Sequence, residues 1–487
     1  MNYRIVSYVV GRILQIEAAI LVLPFFVSVI YLGIEGEKAY KAAFAFAVSA
    51  AIALAAGFLL KYVIGKNNKL LFAREGFAIV ALAWILMSAV GALPFVISGE
   101  IPSYIDALFE TVSGFTTTGA SILSDVEAMS HGMLFWRSFT HWLGGMGVLV
   151  FVMALLPQDT GRNIHIMRAE MPGPIVGKIV PRLSETAKIL YLIYLALTAI
   201  EVVLLLLGGM PLFDSIVHSL GTAGTGGFGI KGDSIGSYNA YCQWIITIFM
   251  LLFGVNFNLY YLIIIKQFKS AIKSTELWVY GAIVFIAGVV ISIDIDRFFN
   301  SFGDSIRHAF FQVASIITTT GYSSMDFNEW PSFSKAILFV LMFVGGCAGS
   351  TAGGIKISRF IISLKTVFRD IRKMIHPRSV SSVQFEGKKV EDSTINSVSL
   401  YFAFYIIIFL AIFILISFEP FSFETNFTAV SACFNNIGPG FGGVGPMASF
   451  AAYSDAAKLL LTLAMLLGRL EIFPILLLFT PSMWKKR

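Results

Sequence analysis

Apolar stretches bounded by charged and turn residues recur along the whole sequence, each long enough to cross a hydrocarbon core of about 30 Å. They predict ten spanning helices, near residues 12–33, 42–64, 75–98, 134–157, 185–208, 240–265, 275–294, 334–362, 395–417 and 457–480. Composition points the same way. The chain is 57% hydrophobic and 13% charged, against roughly 45–50% and about 25% for soluble domains. The pattern is that of an all-α polytopic membrane protein.

The placement of charge sets an orientation. If both termini are cytoplasmic, the inside segments (1–12, 61–75, 158–188, 266–276, 356–392 and 485–487) carry 26 Lys and Arg against 9 acidic residues, and the outside segments 5 against 17. This satisfies the positive-inside rule and predicts a multi-pass protein of the cell (inner) membrane with both ends inside. It also accounts for the net charge of +6, so no nucleic-acid partner is expected. The first apolar stretch lacks a small-residue cleavage site and is read as a retained helix. Cys242, Cys347 and Cys433 fall apart from one another in apolar segments, which argues against disulfides and structural zinc.

A repeat lies between the spans. Four stretches, too apolar for loops and too short to cross, end in small residues and glycine: Thr111 to Gly119 (TVSGFTTTG), His218 to Gly226 (HSLGTAGTG), Val313 to Gly321 (VASIITTTG) and Val430 to Gly438 (VSACFNNIG). Their last glycines are 107, 95 and 117 residues apart, a period near 100 that marks a repeated unit. Each unit reads as spanning helix, short helix starting near Tyr104, Phe213, Ser305 or Phe427, extended segment, and second spanning helix. The second helices carry small residues at Gly144-Gly145, Gly254, Gly345-Gly346 and Gly468, a hinge or close-packing position. The expected division is 1–70 for an N-terminal helix pair, then repeats at 71–160, 180–268, 272–372 and 393–487.

Non-helical backbone cannot face lipid, so four such extended segments must enclose a path. Carbonyl rings that replace an ion's hydration shell need glycine where the backbone turns left-handed. Gly119, Gly226, Gly321 and Gly438 would supply it. The carbonyls just before them, on Thr117-Thr118, Gly224-Thr225, Thr319-Thr320 and Asn436-Ile437, are the expected ion ligands. No carboxylate ring occurs in the nine aligned columns, which favours a monovalent cation.

Together, TTTGAS (Thr116 to Ser121), AGTGGFG (Ala223 to Gly229), TTTGYS (Thr318 to Ser323), NNIGPGFG (Asn435 to Gly442) and GSTAGGIK (Gly349 to Lys356) resemble the Trk/Ktr/HKT potassium transporter superfamily, most closely its Trk-type membrane subunits. The resemblance covers nearly the whole chain. It implies K⁺ uptake through a pseudo-fourfold pore, two extra N-terminal helices, a homodimer, and control by a cytosolic nucleotide-binding subunit of TrkA type. It implies no organic cofactor in this chain. Glycine at all four filter positions, rather than the serine linked to sodium preference in plant relatives, supports K⁺.

Two features suggest a gate. The segment Gly345-Gly346-Cys347-Ala348-Gly349-Ser350-Thr351-Ala352-Gly353-Gly354 should leave helical geometry, since glycine costs about 1 kcal/mol per helix position. The family resemblance makes it an intramembrane gating loop. Arg469 lies deep in the last span, where a charge is a functional hypothesis by default. At about 10 Å and an effective dielectric of about 20 it would raise a transiting cation's energy by roughly 1.7 kcal/mol. The alternative is a structural bridge from Arg469 to Glu201 or to a loop carbonyl. The basic segment Lys356 to Asp392 follows the gate and could couple a docked regulator to it.

Other readings carry less. Gly224 to Gly229 matches a dinucleotide fingerprint but opens no βαβ unit, and Gly349 to Lys356 resembles a phosphate loop only loosely. No acid, base and nucleophile grouping marks an enzyme. A coupled H⁺ or Na⁺ symporter would need an acidic relay, for which only Glu17 and Glu201 are available. A less K⁺-selective monovalent cation channel is the other alternative.

Overall fold

The computed structural model describes residues 1–64, 72–147, 183–379 and 381–485. Its fold is helical, and only one two-stranded hairpin (β1, Gln384–Phe385; β2, Lys388–Lys389) occurs among the described residues. Two N-terminal spans, Tyr3–Ile30 and Glu37–Tyr62, precede the repeats. They cross at glycine: a Cβ on Gly11 would lie 2.7 Å from the Gly57 carbonyl oxygen, and one on Gly57 the same distance from that of Gly11.

The four units that follow share one plan. Their first helices are Ala73–Gly91, Leu183–Leu207, Thr275–Ile295 and Asp392–Ile416. Each leads to a short helix that does not cross: Tyr104–Phe115, Leu212–Gly224, Phe302–Ile317 and Phe423–Phe434. Their starts are built alike. Each has an acidic residue in its first turn, Asp106, Asp214, Asp304 or Glu424, which complements the positive end of the helix dipole. Ser103, Ser301 and Ser422 cap three of them by accepting the backbone N–H of Asp106, Gly303 and Thr425. The opposite, negative ends run into the glycine-bearing segments.

The second helices are shorter than their hydropathy suggests. They run over His131–Gly145, Ala240–Phe253, Ser332–Val344 and Asp455–Arg469, and three of the four resume after a break. The second turns by 90° at Gly254 into Phe257–Ile264. The third leaves helix at Gly345 (φ 73°) and resumes as Ile357–Ile375, and the fourth breaks at Glu471 and Ile472 (φ 51° and 72°) before Phe473–Leu478. The spans expected over 240–265 and 457–480 are therefore each two helices, and the span expected over 334–362 is broken where its glycine run predicts. The part of 134–157 beyond residue 147 lies outside the described residues.

The break has a packing cause. A Cβ on Gly144 would overlap the Phe115 carbonyl oxygen, and one on Gly468 that of Phe434, so in the first and fourth units the second helix reaches its glycine where its own short helix ends. Each second helix also packs on the next unit's short helix, and the fourth returns to the first, closing a ring. Large apolar side chains such as Leu207, Phe285 and Phe418 stay on the outside, as a lipid-facing surface requires. A bulky residue at the N-terminal crossing should separate the pair. Gly57→Leu is expected to cost about 1–3 kcal/mol, read as a lower melting temperature of the detergent-solubilised protein.

Candidate ion pathway

All four short helices end in the same turn. Thr117, Thr225, Thr319 and Asn436 adopt left-handed φ of 55°, 56°, 56° and 57°, a conformation rare for β-branched residues. Each donates its N–H three residues back, at 3.0–3.3 Å: to Gly114, Thr222, Ile316 and Cys433. The next N–H reaches five residues back, from Thr118 to Ser113, Gly226 to Gly221, Thr320 to Ser315 and Ile437 to Ala432, at 2.8–2.9 Å. A glycine with positive φ follows: Gly119 (77°), Gly227 (73°), Gly321 (83°) and Gly438 (101°).

This corrects the register of the second unit. Gly226 stands where Thr118, Thr320 and Ile437 stand, and Gly227, not Gly226, is the left-handed glycine. Gly224 is the last residue of its helix, and Thr225 takes the position of Thr117. In a run containing Gly226-Gly227 either glycine could close the pattern, and only the hydrogen bonds choose between them.

The turns interlock. A Cβ on Gly119 would overlap the carbonyl oxygen of Gly226, one on Gly227 that of Thr320, and one on Gly321 that of Ile437; on Gly438 it would lie 2.7 Å from that of Thr118. Each glycine thus faces the preceding-position carbonyl of the next unit, around a complete circuit. Among the described residues those four carbonyls accept no hydrogen bond. Buried carbonyls are normally satisfied, so this ring is free to coordinate a cation.

Side chains brace it from behind. Thr116 and Thr318 share hydroxyl hydrogen bonds with Thr118 (2.8 Å) and Thr320 (2.7 Å). Asn436 Nδ2 donates to Thr118 Oγ1 (3.0 Å) and to the Met465 carbonyl (2.9 Å), tying the fourth unit to the first. Tyr405 donates to Asn435 Oδ1 at 2.8 Å. The Asn435-Asn436 pair, which stands where the first and third units carry Thr-Thr, is a brace. His141 joins units one and two: Nδ1 meets the Gly114 carbonyl at 2.8 Å, and Nε2 accepts the Phe228 N–H at 3.2 Å. Those contacts require the neutral ring with its proton on Nδ1.

Next to the turns lies the segment after Gly345. Gly349 and Gly354 have φ of 72° and 73°. Gly353 N–H donates to Thr319 Oγ1 at 2.6 Å and Gly354 N–H to the Asn435 carbonyl at 3.1 Å. A Cβ on Gly353 would lie 2.6 Å from that same carbonyl. Cys347 N–H bonds the Gly254 carbonyl at 3.0 Å. Gly346, Ser350 and Thr351 complete the loop, with Thr351 Oγ1 on the Phe253 carbonyl at 3.1 Å. Arg469 Nη1 donates to the Thr351 carbonyl at 2.9 Å, and Nη2 to those of Gly144 and Gly145. The guanidinium therefore joins the fourth unit's broken helix to the first unit's helix end and to the third unit's loop. Glu471 pairs instead with Arg359.

A family model described as "Cation transport protein", TrkH, matches residues 42–287 and 271–486. The chain is 35% identical to the Trk system potassium uptake protein TrkH of Salmonella typhimurium over all of both chains. It is equally similar to TrkG of Escherichia coli over 99% of each. It matches the crystal structure of the potassium transporter TrkH from Vibrio parahaemolyticus with a TM-score of 0.86 and 31% identity over all of both chains. The chain belongs to the TrkH family. It is a multi-pass membrane transport protein and not an enzyme.

Two members of this TrkH-family site carry no sequence motif. Glu110 and Arg137, both buried, pair at 2.7–2.8 Å. Glu110 also accepts from Ser121 Oγ and Ile122 N–H at 3.0 Å, and Arg137 donates to the Gly229 carbonyl at 3.2 Å and lies 4.0 Å over the Phe228 ring. The pair holds the segments that leave the first two turns. Its signals in the sequence are Glu110, just before the first aligned stretch, and Arg137, a charge inside the span expected over 134–157. Glu17 and Glu201 are buried in spanning helices, outside the ring, with no hydrogen-bond partner among the described residues. Removing one member of a buried pair strands the other, so Arg137→Met should cost about 3–5 kcal/mol. A melting curve should show this loss, with a smaller one for the double variant Glu110→Leu/Arg137→Met.

Proposed function

We propose that this chain is the membrane subunit of a Trk-type potassium uptake system, conducting K⁺ through the ring of free carbonyls at Thr118, Gly226, Thr320 and Ile437. The observation that carries the reading is the closed circuit in which each of these oxygens packs on the preceding unit's left-handed glycine. Neutral carbonyls suit a monovalent ion that must be dehydrated and released quickly. The negative ends of four short helices add attraction without binding a divalent ion tightly. Relatives that match over the full length are named as potassium uptake proteins.

In this reading the loop Gly345 to Lys356 is the gate. It occupies Thr319 Oγ1 and the Asn435 carbonyl immediately beside the ring. Arg469 acts twice: its charge opposes cations, and its hydrogen bonds to three carbonyls hold the loop in place. The positive-inside distribution puts both termini and the segment Lys356 to Asp392 in the cytosol, with the chain in the inner membrane. A homodimer and a nucleotide-binding partner of TrkA type follow from the family resemblance.

The test is a set of reversal potentials in liposomes under K⁺, Rb⁺ and Na⁺ gradients. The wild type should follow K⁺ without a proton gradient. Flux that needs a proton or sodium gradient would instead establish a coupled symporter, and equal permeabilities a less selective channel. Gly119→Ser forces a Cβ against the Gly226 carbonyl at a positive φ, so it should shift the potential toward Na⁺. Arg469→Ala removes barrier and bridge together and should raise basal K⁺ flux by about twentyfold, as expected from roughly 1.7 kcal/mol.

A further inference from the structure

The loop is held by one buried side chain that neither the filter nor the conduction argument uses. Glu276 stands in the first turn of Thr275–Ile295, the first helix of the third unit, and is 4% exposed. Its Oε1 accepts the N–H of Ala348 at 2.8 Å and that of Ser358 at 3.0 Å. Those amides lie on the two limbs of the loop, one after Gly345 and one just past Lys356. Among the described residues no other side chain bonds both limbs. Ser358 N–H is an amide of the first turn of Ile357–Ile375, which its own helix cannot satisfy. A single carboxylate oxygen therefore fixes both where the loop leaves and where the next helix begins.

A second carboxylate sits on the same turn. Glu386 is at the tip of the hairpin β1–β2, where Glu386 and Gly387 have φ of 50° and 71°, as a two-residue hairpin turn with matching twist requires. Glu386 Oε1 accepts Ser274 Oγ at 3.1 Å and the backbone N–H of Glu276 itself at 3.0 Å. The hairpin is seated by Val383 and Phe385, both buried in the third unit's core. Lys365 Nζ, on the helix after the loop, donates to the Gln384 carbonyl at 2.9 Å. The hairpin tip is thus bonded to the amide of the very residue whose side chain holds the loop.

We propose that Glu276 is a positioning residue that latches both limbs of the loop, and that the hairpin Gln384–Lys389 relays movement of the segment after Ile375 to this latch through Glu386. The functional part of this inference rests on the loop being the gate. Displacing the hairpin takes Glu386 off the helix start, loosens the turn that carries Glu276, and releases Ala348 and Ser358. The route needs no contact between a regulator and the pore.

The native thiol of Cys347, buried next to Ala348, reports the loop independently of transport. In the full-length protein with Cys242→Ser and Cys433→Ser, labelling of Cys347 by a small thiosulfonate is measured beside K⁺ flux in liposomes. Glu276→Leu should raise both labelling rate and basal flux by about tenfold, in line with losing two buried hydrogen bonds. Glu276→Gln keeps a neutral acceptor oxygen and should restore both towards the parent. Glu386→Ala, which leaves the pore-lining residues untouched, should raise both by a smaller factor. Unchanged labelling in Glu276→Leu and Glu386→Ala overturns the latch. Raised labelling with unchanged flux keeps the latch and overturns the loop as gate. A fall in labelling or flux in Glu276→Leu, or no recovery with Glu276→Gln, also counts against the proposal.

Discussion

Four backbone carbonyls, each lodged where the preceding unit's glycine has no side chain, hold this architecture together. The contact is possible only without a Cβ, and it recurs around a full circuit from Gly119 to Gly438. It places oxygens that accept no hydrogen bond among the described residues in the middle of the protein, where buried carbonyls are normally paired. Everything around it serves to keep that arrangement affordable. The helix turns absorb the N–H groups, the hydroxyls of Thr116 and Thr318 fix the side chains behind, and Asn436 ties the last unit to the first. Threonine in a left-handed conformation is strained, and it persists here because neighbours on several sides define it.

The same close approach explains why the second helices break. Gly144 and Gly468 admit the carbonyl ends of their short helices, so backbone meets backbone where a side chain would normally separate two elements. Past that point the helices have no common packing partner, and each takes its own path: a right-angle turn at Gly254, a loop at Gly345, a kink at Glu471. The third unit departs most because its break contains the largest run of small residues. Its loop fills the space beside the ring using its own backbone donors. Arg469 is stabilised there by three carbonyls at the breaks in other units, so the buried charge and the broken helices satisfy each other.

Much of this could be read from the chain directly. Hydropathy and charge determined the spanning segments and a proposed orientation, because a bilayer tests each segment for apolarity one at a time. Four aligned small-residue stretches determined the repeat, and the family membership that the resemblance implied is borne out by full-length relatives. Arg469 and the loop after Gly345 stood out because a charge and a glycine run are each costly inside a membrane helix.

Other features existed only in three dimensions. The choice of Gly227 over Gly226 depends on which amide reaches Gly221, and a double glycine satisfies a sequence pattern in either register. The roles of His141, of Glu110 with Arg137, and of Glu276 with Glu386 depend on partners many residues away. Nothing local to those residues distinguishes them from other polar groups near a helix end. The sequence by itself determined where helices can cross and where backbone must stop being helical, since both follow from local side-chain chemistry. Tertiary structure decided which carbonyl meets which glycine and which carboxylate holds which amide, because those depend on distances between units that no single segment encodes.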